Sequence, residues 1–379
     1  MIIKKLNSHT YSSKYGNQKV FGQPLKVRSG VVVQVELSNG VKGYGESYQS
    51  IYLPEITKFS IDYFSSFLKG KKITNISDTM KKMRIPFSSQ NGLIKGIYAA
   101  IEMALWDAKS RVKKVPLFKL LNKKSKQRYL NCYGSGGSVV FNKIDLKNDI
   151  ELLNKLKLNS YKMRVGLKKW NNDLERIKYV KKNIGQKKIM IDAIMGTLNK
   201  WTAEDSIKRI NSLKKLNLKW IEEPINPENI FAYKEIKKKT KTPVALGESF
   251  TSFYEFETAI RFNCCDIIQP DISQIGISEC IEVIQLAKKF KKKISLHVWG
   301  SPLSFLANLH FATAFKEIDL IEFPLVKLDF LKDKVNNLYS ISNGKISLNV
   351  NKIKGLGINI TKKEINKFKF RNKSGYKIS

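Results

Sequence analysis

No apolar run in this chain approaches the roughly 20 residues that span a bilayer, so a helical membrane protein is not expected. Residues Met1 to Asn7 also lack the long apolar segment of a secretory signal and read as a strand of the mature protein. Cysteine is scarce. Cys132, Cys264, Cys265 and Cys280 are the only ones in 379 residues, and none forms a C-x-x-C pair. This excludes a disulfide scaffold and fits a reduced, cytoplasmic protein. Three histidines, His9, His297 and His310, are too few for a His-rich metal site. Acidic residues number 32 against 69 basic ones, a net charge of +37. That excess invites a nucleic-acid reading. Yet only nine of the 69 are Arg, the residue suited to base and phosphate forks. Lys is spread over nearly every helical segment, and no zinc-finger spacing, RNP-like motif or basic heptad appears. A basic, non-catalytic nucleic-acid-binding protein is therefore the minor alternative. The charge is read instead as a field that draws an anionic small molecule inward.

What is present is a globular composition, 42% hydrophobic and 27% charged, and three acids that each follow an apolar run. They are Asp192 in Ile-Met-Ile-Asp, Glu222 in Lys-Trp-Ile-Glu-Glu-Pro, and Glu248 in Pro-Val-Ala-Leu-Gly-Glu. Successive members lie 30 and 26 residues apart, about one strand-helix unit of a parallel barrel. Any one alone reads as a helix cap or a surface acid. Three in register converge at one mouth of the barrel, where they repel unless a cation lies between them. Oxygen ligands alone favour a hard ion such as Mg²⁺.

The same spacing organises the chain. Val31 to Leu37, Ser-Asn-Gly, then Val41 to Glu46 has the pattern of a β-hairpin. Helical periodicity follows over Ile97 to Lys109. The polar run Asn122 to Arg128 marks a boundary. From Tyr129 a short apolar strand and a Lys-rich amphipathic helix repeat, with strand ends near Tyr133, Arg164, Asp192, Glu222, Glu248, Asp271, His297 and Glu322. Eight such strands are the count of a (β/α)₈ barrel. Lys162 and Arg164, two apart on one strand, share a face. Residues 344–350 and 354–358 read as β again and are expected to return to the first domain.

Several of these pieces together resemble the enolase superfamily, in its mandelate racemase subgroup. They are Ala104-Leu-Trp-Asp107, Tyr-Lys-Met-Arg-Val-Gly, Trp-Ile-Glu-Glu-Pro, Leu-Gly-Glu, Gln-Pro-Asp-Ile-Ser-Gln-Ile-Gly and Leu-His-Val-Trp-Gly, in that order along nearly the whole chain. The resemblance implies an α/β architecture, a modified (β/α)₈ TIM barrel with an α+β capping domain formed by the N-terminal region and the C-terminal tail. The expected division is 1–125 for the cap, 126–345 for the barrel and 346–379 for the returning segment. It implies a Mg²⁺ cofactor on Asp192, Glu222 and Glu248, with Glu223 in support. It also implies abstraction of a proton α to a carboxylate, with stabilisation of the enediolate. Asp271 and His297 match the subgroup's dyad, in which the carboxylate fixes the imidazole tautomer and raises its basicity. Glu322 matches the strand-eight acid that hydrogen-bonds the enediolate oxygen, and in that role it would be protonated with a raised pKa. Asp271 stands where muconate cycloisomerases and dipeptide epimerases carry a lysine. His9 and His310 lack such partners and read as structural.

Two positions depart from the subgroup. Its second strand commonly ends K-x-K, and here Arg164 replaces the second Lys. A guanidinium is a poor base but a good carboxylate clamp. Lys162 remains, expected to bind the substrate carboxylate and, with its pKa lowered by burial or by Arg164, to serve as a reserve base. Ile194 stands where an Asn is common, which makes the pocket more apolar. The expected activity is dehydration of a hydroxy-acid such as a sugar acid to a 2-keto-3-deoxy acid. The alternative is a racemase or epimerase, which needs two bases. The expected partners are a small-molecule carboxylate, no nucleic acid, no membrane, and further copies of the chain in a dimer or octamer. Specificity is expected in the capping loops near Tyr11 to Leu25 and Ser47 to Leu53.

Overall fold

The computed structural model describes all residues except 17–20, 24, 87–90, 168, 327, 351–352 and 378–379. The first expected specificity loop therefore falls partly outside the described residues. The chain begins with an antiparallel sheet in the order β1 (Ile3–Lys14), β2 (Val27–Leu37), β3 (Lys42–Glu46). The expected hairpin is present. Val32 pairs with Glu46 and Glu36 with Lys42, and Gly40 takes the left-handed φ of 81° that the turn needs. The helix Gly92–Val112 lies across this sheet. Gly43 and Gly45, two apart on one strand face, meet its small residues. A Cβ on Gly45 would come within 2.1 Å of the Ala100 carbonyl oxygen, and one on Gly43 within 2.2 Å of the Ala104 oxygen. Because these neighbours are backbone, Gly45→Ala must push the helix off the sheet. It is expected to cost about 1–3 kcal/mol of stability, read as a lower midpoint in thermal unfolding.

Eight parallel strands follow: β4 (Leu130–Gly136), β5 (Ser160–Arg164), β6 (Lys188–Asp192), β7 (Ile221–Glu222), β8 (Val244–Leu246), β9 (Ile267–Ile268), β10 (Lys293–Leu296) and β11 (Leu320–Pro324). β11 pairs with β4, with Ile321 opposite Cys132, and so closes the barrel. Full-length helices follow the first seven strands. After β11 the helix shrinks to Lys332–Asn336. The barrel interior is a packed plug of Tyr133, Met190, Trp220, Ala245, Ile267 and Leu320. Strand side chains alternate with a period of two. The inward residue two steps beyond Met190 is therefore Asp192, beyond Trp220 it is Glu222, and beyond Leu320 it is Glu322.

The tail differs from expectation at both segments that read as β. Residues 345–348 form β13 (Lys345–Leu348), which pairs with β12 (Tyr339–Ser342) and then antiparallel with the start of β4. It extends the barrel sheet rather than the cap. Residues 354–358 are not a strand. They pack on the long cap helix, where buried Asp107 accepts the Leu356 N–H at 2.7 Å. The tail reaches the strands and the turn of the cap further on, where Phe368 accepts the Ser12 N–H at 3.0 Å and the Tyr376 N–H donates to Ile51 at 2.9 Å. No helix among the described residues is long and apolar enough to cross a membrane.

Candidate active site

The carboxyl ends of the barrel strands carry the acids, as parallel barrels dictate. Asp192 and Glu222 close β6 and β7 in phase with the plug beneath them. Glu248 is out of phase with Ala245, and Gly247 at φ 128° corrects it. Oxygens of Asp192, Glu222 and Glu248 lie within 4.8 Å of one another. Two residues next to the triad are strained. Ile194 at φ 44° and Glu223 at φ 37° occupy left-handed space that non-glycine residues rarely enter. The first turns its N–H onto Asp192 Oδ1 at 2.9 Å. Glu223, turned away from the triad, holds the Ser249 N–H at 3.1 Å and its hydroxyl at 2.6 Å, which steadies the residue beside Glu248.

The donor set fits a divalent ion. Asp192 Oδ2 is buried with no hydrogen-bond partner. Glu222 Oε2 is oriented by Trp220 Nε1 at 3.0 Å and Gln269 Nε2 at 2.7 Å. Burial, then the charges of Asp192, Glu222 and Glu223, hold Glu248 well above the usual carboxylate range. Burial and Glu222 raise Asp192 to about 6. Burial also acts upward on Glu222, but Lys162 outweighs it and brings that carboxyl to about 2. Lys162 and, at Asp192, Arg164 offset part of this charge, but Glu248 remains costly without a further positive charge. Oxygen-only donors of this kind suit Mg²⁺.

The cation within 4 Å of all three acids is Lys162. Its fully buried ammonium contacts Glu222 and lies 3.1 Å from Glu322, 3.7 Å from Asp192 and 3.9 Å from Glu248. The expected lowering of its pKa is corrected here. Burial does push it down, but Glu222 and Glu322, followed by Tyr133 and Asp192, raise it well above the ordinary value. The expectation weighed burial and Arg164, both of which lower it. It missed the acids from neighbouring strands that fold around the ammonium.

Arg164 shares the face with Lys162, as the alternation requires. It donates to the Gly136 carbonyl at 2.8 Å and Ser135 Oγ at 3.2 Å. It also faces Asp192 at 3.4 Å and Glu322 at 3.7 Å, and stacks 3.8 Å over the Trp299 ring. Burial opposes its charge, but Asp192, Glu322 and Glu248 raise its pKa further. Glu322 Oε2 accepts the Val298 N–H at 2.9 Å, and its Oε1 faces the two cations.

Across the mouth, Asp271 caps the short helix that follows β9. Its Oδ2 lies 3.1 Å from His297 Nδ1. Its Oδ1 is fixed by the Ser273 N–H at 2.8 Å, the Ser273 hydroxyl at 2.7 Å and Asn308 Nδ2 at 2.9 Å. Burial lowers the imidazole pKa, but the Asp271 hydrogen bond and the charges of Glu322 and Asp271 raise it above its ordinary value. With Nδ1 engaged, Nε2 faces the triad, 3.6 Å from Glu248. His310 is buried elsewhere, accepts the Phe118 N–H at 3.4 Å, and is pushed down to about 3 by burial. It is structural, as its lack of partners suggested.

These groups line a cavity of about 90 Å³ that the cap roofs with Tyr15, Arg28, Tyr48 and Tyr52, and the tail with Tyr376. A neighbouring cavity of about 430 Å³ shares Tyr48, Tyr52, Glu248 and Tyr376 with it. A larger one, about 520 Å³, lies between the cap and the helix Ile277–Lys289. Arg84 and Lys95 there are both already paired with Glu279, so chemistry rather than size locates the site. Gln269, Asn308, Arg28, Trp299 and Tyr376 were not anticipated. Gln269, two residues before Asp271, and Trp299, two residues after His297, had a signal in that spacing.

A barrel arranged in this way places the protein among enzymes that act on small molecules at the carboxyl ends of barrel strands. Residues 147–364 match the family described as "Enolase C-terminal domain-like", and residues 22–122 match "Mandelate racemase / muconate lactonizing enzyme, N-terminal domain". The chain belongs to the enolase superfamily, in the mandelate racemase and muconate lactonizing enzyme group. It is 26% identical over 337 residues to L-talarate/galactarate dehydratase of Salmonella typhimurium, covering 87% of this chain and 80% of that one. It is 28% identical over 330 residues to arabinonate dehydratase of Saccharolobus solfataricus, covering 83% and 84%. The fold is shared with an enolase superfamily member from Polaromonas sp. JS666 (TM-score 0.86, 24% identity, 100% of both chains). It is also shared with the Salmonella typhimurium LT2 L-talarate/galactarate dehydratase liganded with Mg and L-lyxarohydroxamate (TM-score 0.81, 23% identity, 97% and 92%). The triad and these relatives support enzymatic activity of the carbon–oxygen lyase or isomerase kind.

Proposed function

We propose that the protein is a Mg²⁺-dependent dehydratase of a hydroxy-acid, specifically a sugar acid, yielding a 2-keto-3-deoxy acid. The observation that carries this reading is an asymmetry. One side of the mouth holds a single carboxylate-oriented imidazole. The other holds Lys162 and Arg164, both kept charged by the acids around them. A site with one base suits elimination, whereas racemisation needs a base on each face of the α-carbon.

Asp192, Glu222 and Glu248 would hold the ion, which when bound would supply Lewis-acid stabilisation of the substrate carboxylate as the α-proton leaves. His297 Nε2 takes that proton, while Asp271 holds Nδ1–H and steadies the imidazolium. The imidazolium then protonates the departing β-hydroxyl, which leaves as water. Tautomerisation of the enol completes the 2-keto-3-deoxy acid. Arg164 lends a fixed positive charge to the carboxylate end. Tyr48 and Tyr52, which burial keeps protonated, offer phenol donors to sugar hydroxyls. In the same proposal the enzyme works in the cytoplasm, where the four cysteines stay as the free thiols seen here.

A screen of acid sugars for 2-keto acid product, followed by NMR in D₂O, tests this. The expected product carries deuterium at C3, and no epimer of the substrate accumulates. Arg164→Lys is expected to introduce slow α-exchange, because an amine, unlike a guanidinium, can be deprotonated. Prompt formation of an epimer by the wild type, with no keto acid, would show two working bases and overturn the dehydratase reading.

A further inference from the structure

Arg28 lies on β2 of the cap, only 3% exposed. It lines the same cavity as His297, Arg164, Asp192 and Glu248. Its Nη1 donates to the Trp299 carbonyl at 2.5 Å and its Nη2 to the Tyr15 hydroxyl at 2.7 Å. Its Nε is buried with no hydrogen-bond partner. The guanidinium stacks 3.9 Å over Tyr15 and lies 5.2 Å from the Trp299 ring centroid. Among the described residues no carboxylate lies within 4 Å of it. Every other cation at the mouth has an acid. Arg164 has Asp192 and Glu322, and Lys162 has Glu222 and Glu322. A buried charge without a counter-ion is costly, and its natural complement is an anion brought by the ligand.

We propose that Arg28 binds a second, terminal carboxylate of the substrate, so that the preferred acid sugars are dicarboxylates. This deepens the reading of the site as an acid-sugar dehydratase and rests on it. Trp299 joins the two ends. Arg164 stacks on its indole at 3.8 Å, and Arg28, which approaches the same ring at 5.2 Å, lines the cavity together with the tyrosines of the cap and tail. Two of the five guanidinium N–H groups of Arg28 are engaged. The free Nε–H and an adjacent Nη–H form a planar fork that matches the two oxygens of a carboxylate. The surrounding Tyr15, Tyr52 and Tyr376 exclude water and bring no competing acid.

The test compares the six-carbon diacid and monoacid of one sugar, plus the monoacid phosphorylated at its far end, in wild type, Arg28→Met and Arg28→Lys, all with Mg²⁺. The wild type is expected to prefer the diacid in kcat/KM. Arg28→Met is expected to reduce the diacid-to-monoacid ratio by about 10- to 100-fold, the loss lying in KM. Arg28→Lys, with the charge but not the fork, should recover part of it. A wild-type preference for the monoacid or its phosphate ester overturns the proposal, as does an unchanged ratio in Arg28→Met. If no acid sugar is turned over, the dehydratase reading fails by itself. Calorimetric binding of the same three compounds then decides the matter, with tighter diacid binding that Arg28→Met abolishes as the supporting result and equal binding as the refuting one.

Discussion

Replacing His297 with Asn is expected to lower kcat by about 10³-fold, the contribution of a positioned acid–base group. KM and Mg²⁺ binding should change little. An Asn amide can still donate to Asp271, so the carboxylate keeps a partner and the fold is preserved. What it lacks is a nitrogen that can carry a proton to and from the substrate. Asp271→Asn should also reduce kcat, because the imidazole loses both its tautomer and the stabilisation of its protonated form. The direction of the pH effect follows from the ionisation. Asp271 raises the imidazole pKa, and the neutral imidazole is the active base. Removing the carboxylate charge should therefore shift the acid limb of kcat/KM to lower pH. Steady-state profiles of both variants provide the check. A near-normal kcat in His297→Asn would move the base elsewhere, and Lys162 would be the remaining candidate.

Glu222→Gln should weaken Mg²⁺ binding by at least about 100-fold. Loss of a group that merely orients a ligand already costs roughly 10- to 100-fold, and here a charged ligand itself is neutralised. Glu222 is the triad acid with the lowest pKa, and Trp220 and Gln269 orient it by hydrogen bonds. Both bonds end on Oε2, so the amide either keeps them and turns its NH₂ toward the Lys162 ammonium, or places its NH₂ there and loses both. It would also leave Lys162 with one acid fewer. Titration calorimetry measures the affinity, and circular dichroism checks that the barrel persists. Unchanged Mg²⁺ binding would remove Glu222 from the ion's ligands.

The residues that sequence reading located share one property, that local pattern decides their direction. On a strand every second side chain faces inward. The phase of Ile-Met-Ile-Asp or Lys-Trp-Ile-Glu therefore places Asp192 and Glu222 above the plug, and the repeat length brings successive strand ends to one mouth. Asp271 and His297 follow from the same repeat, and their 3.1 Å contact is a consequence of adjacent strands ending level. Arg164 is legible too, because a guanidinium stays charged in any surroundings. Lys162 was misjudged because an amine takes its pKa from whatever surrounds it, and the acids that raise it arrive from three other strands. The strand at 345–348 has a β pattern in either setting, and only the free edge at the start of β4 determines that it joins the barrel. Arg28 shows the limit most clearly. Nothing near it in sequence marks it as different from the other basic residues. Its proposed role comes from a hydrogen bond to Trp299, 271 positions away, and from the lack of an acid within 4 Å of it among the described residues. Long-range packing of cap on barrel creates both conditions. The sequence by itself determined the barrel, the triad and the dyad, because strand periodicity encodes them. The tertiary structure alone decided which acids surround the lysine and which residues form the far wall of the pocket, because both depend on which distant side chains meet in the same small volume.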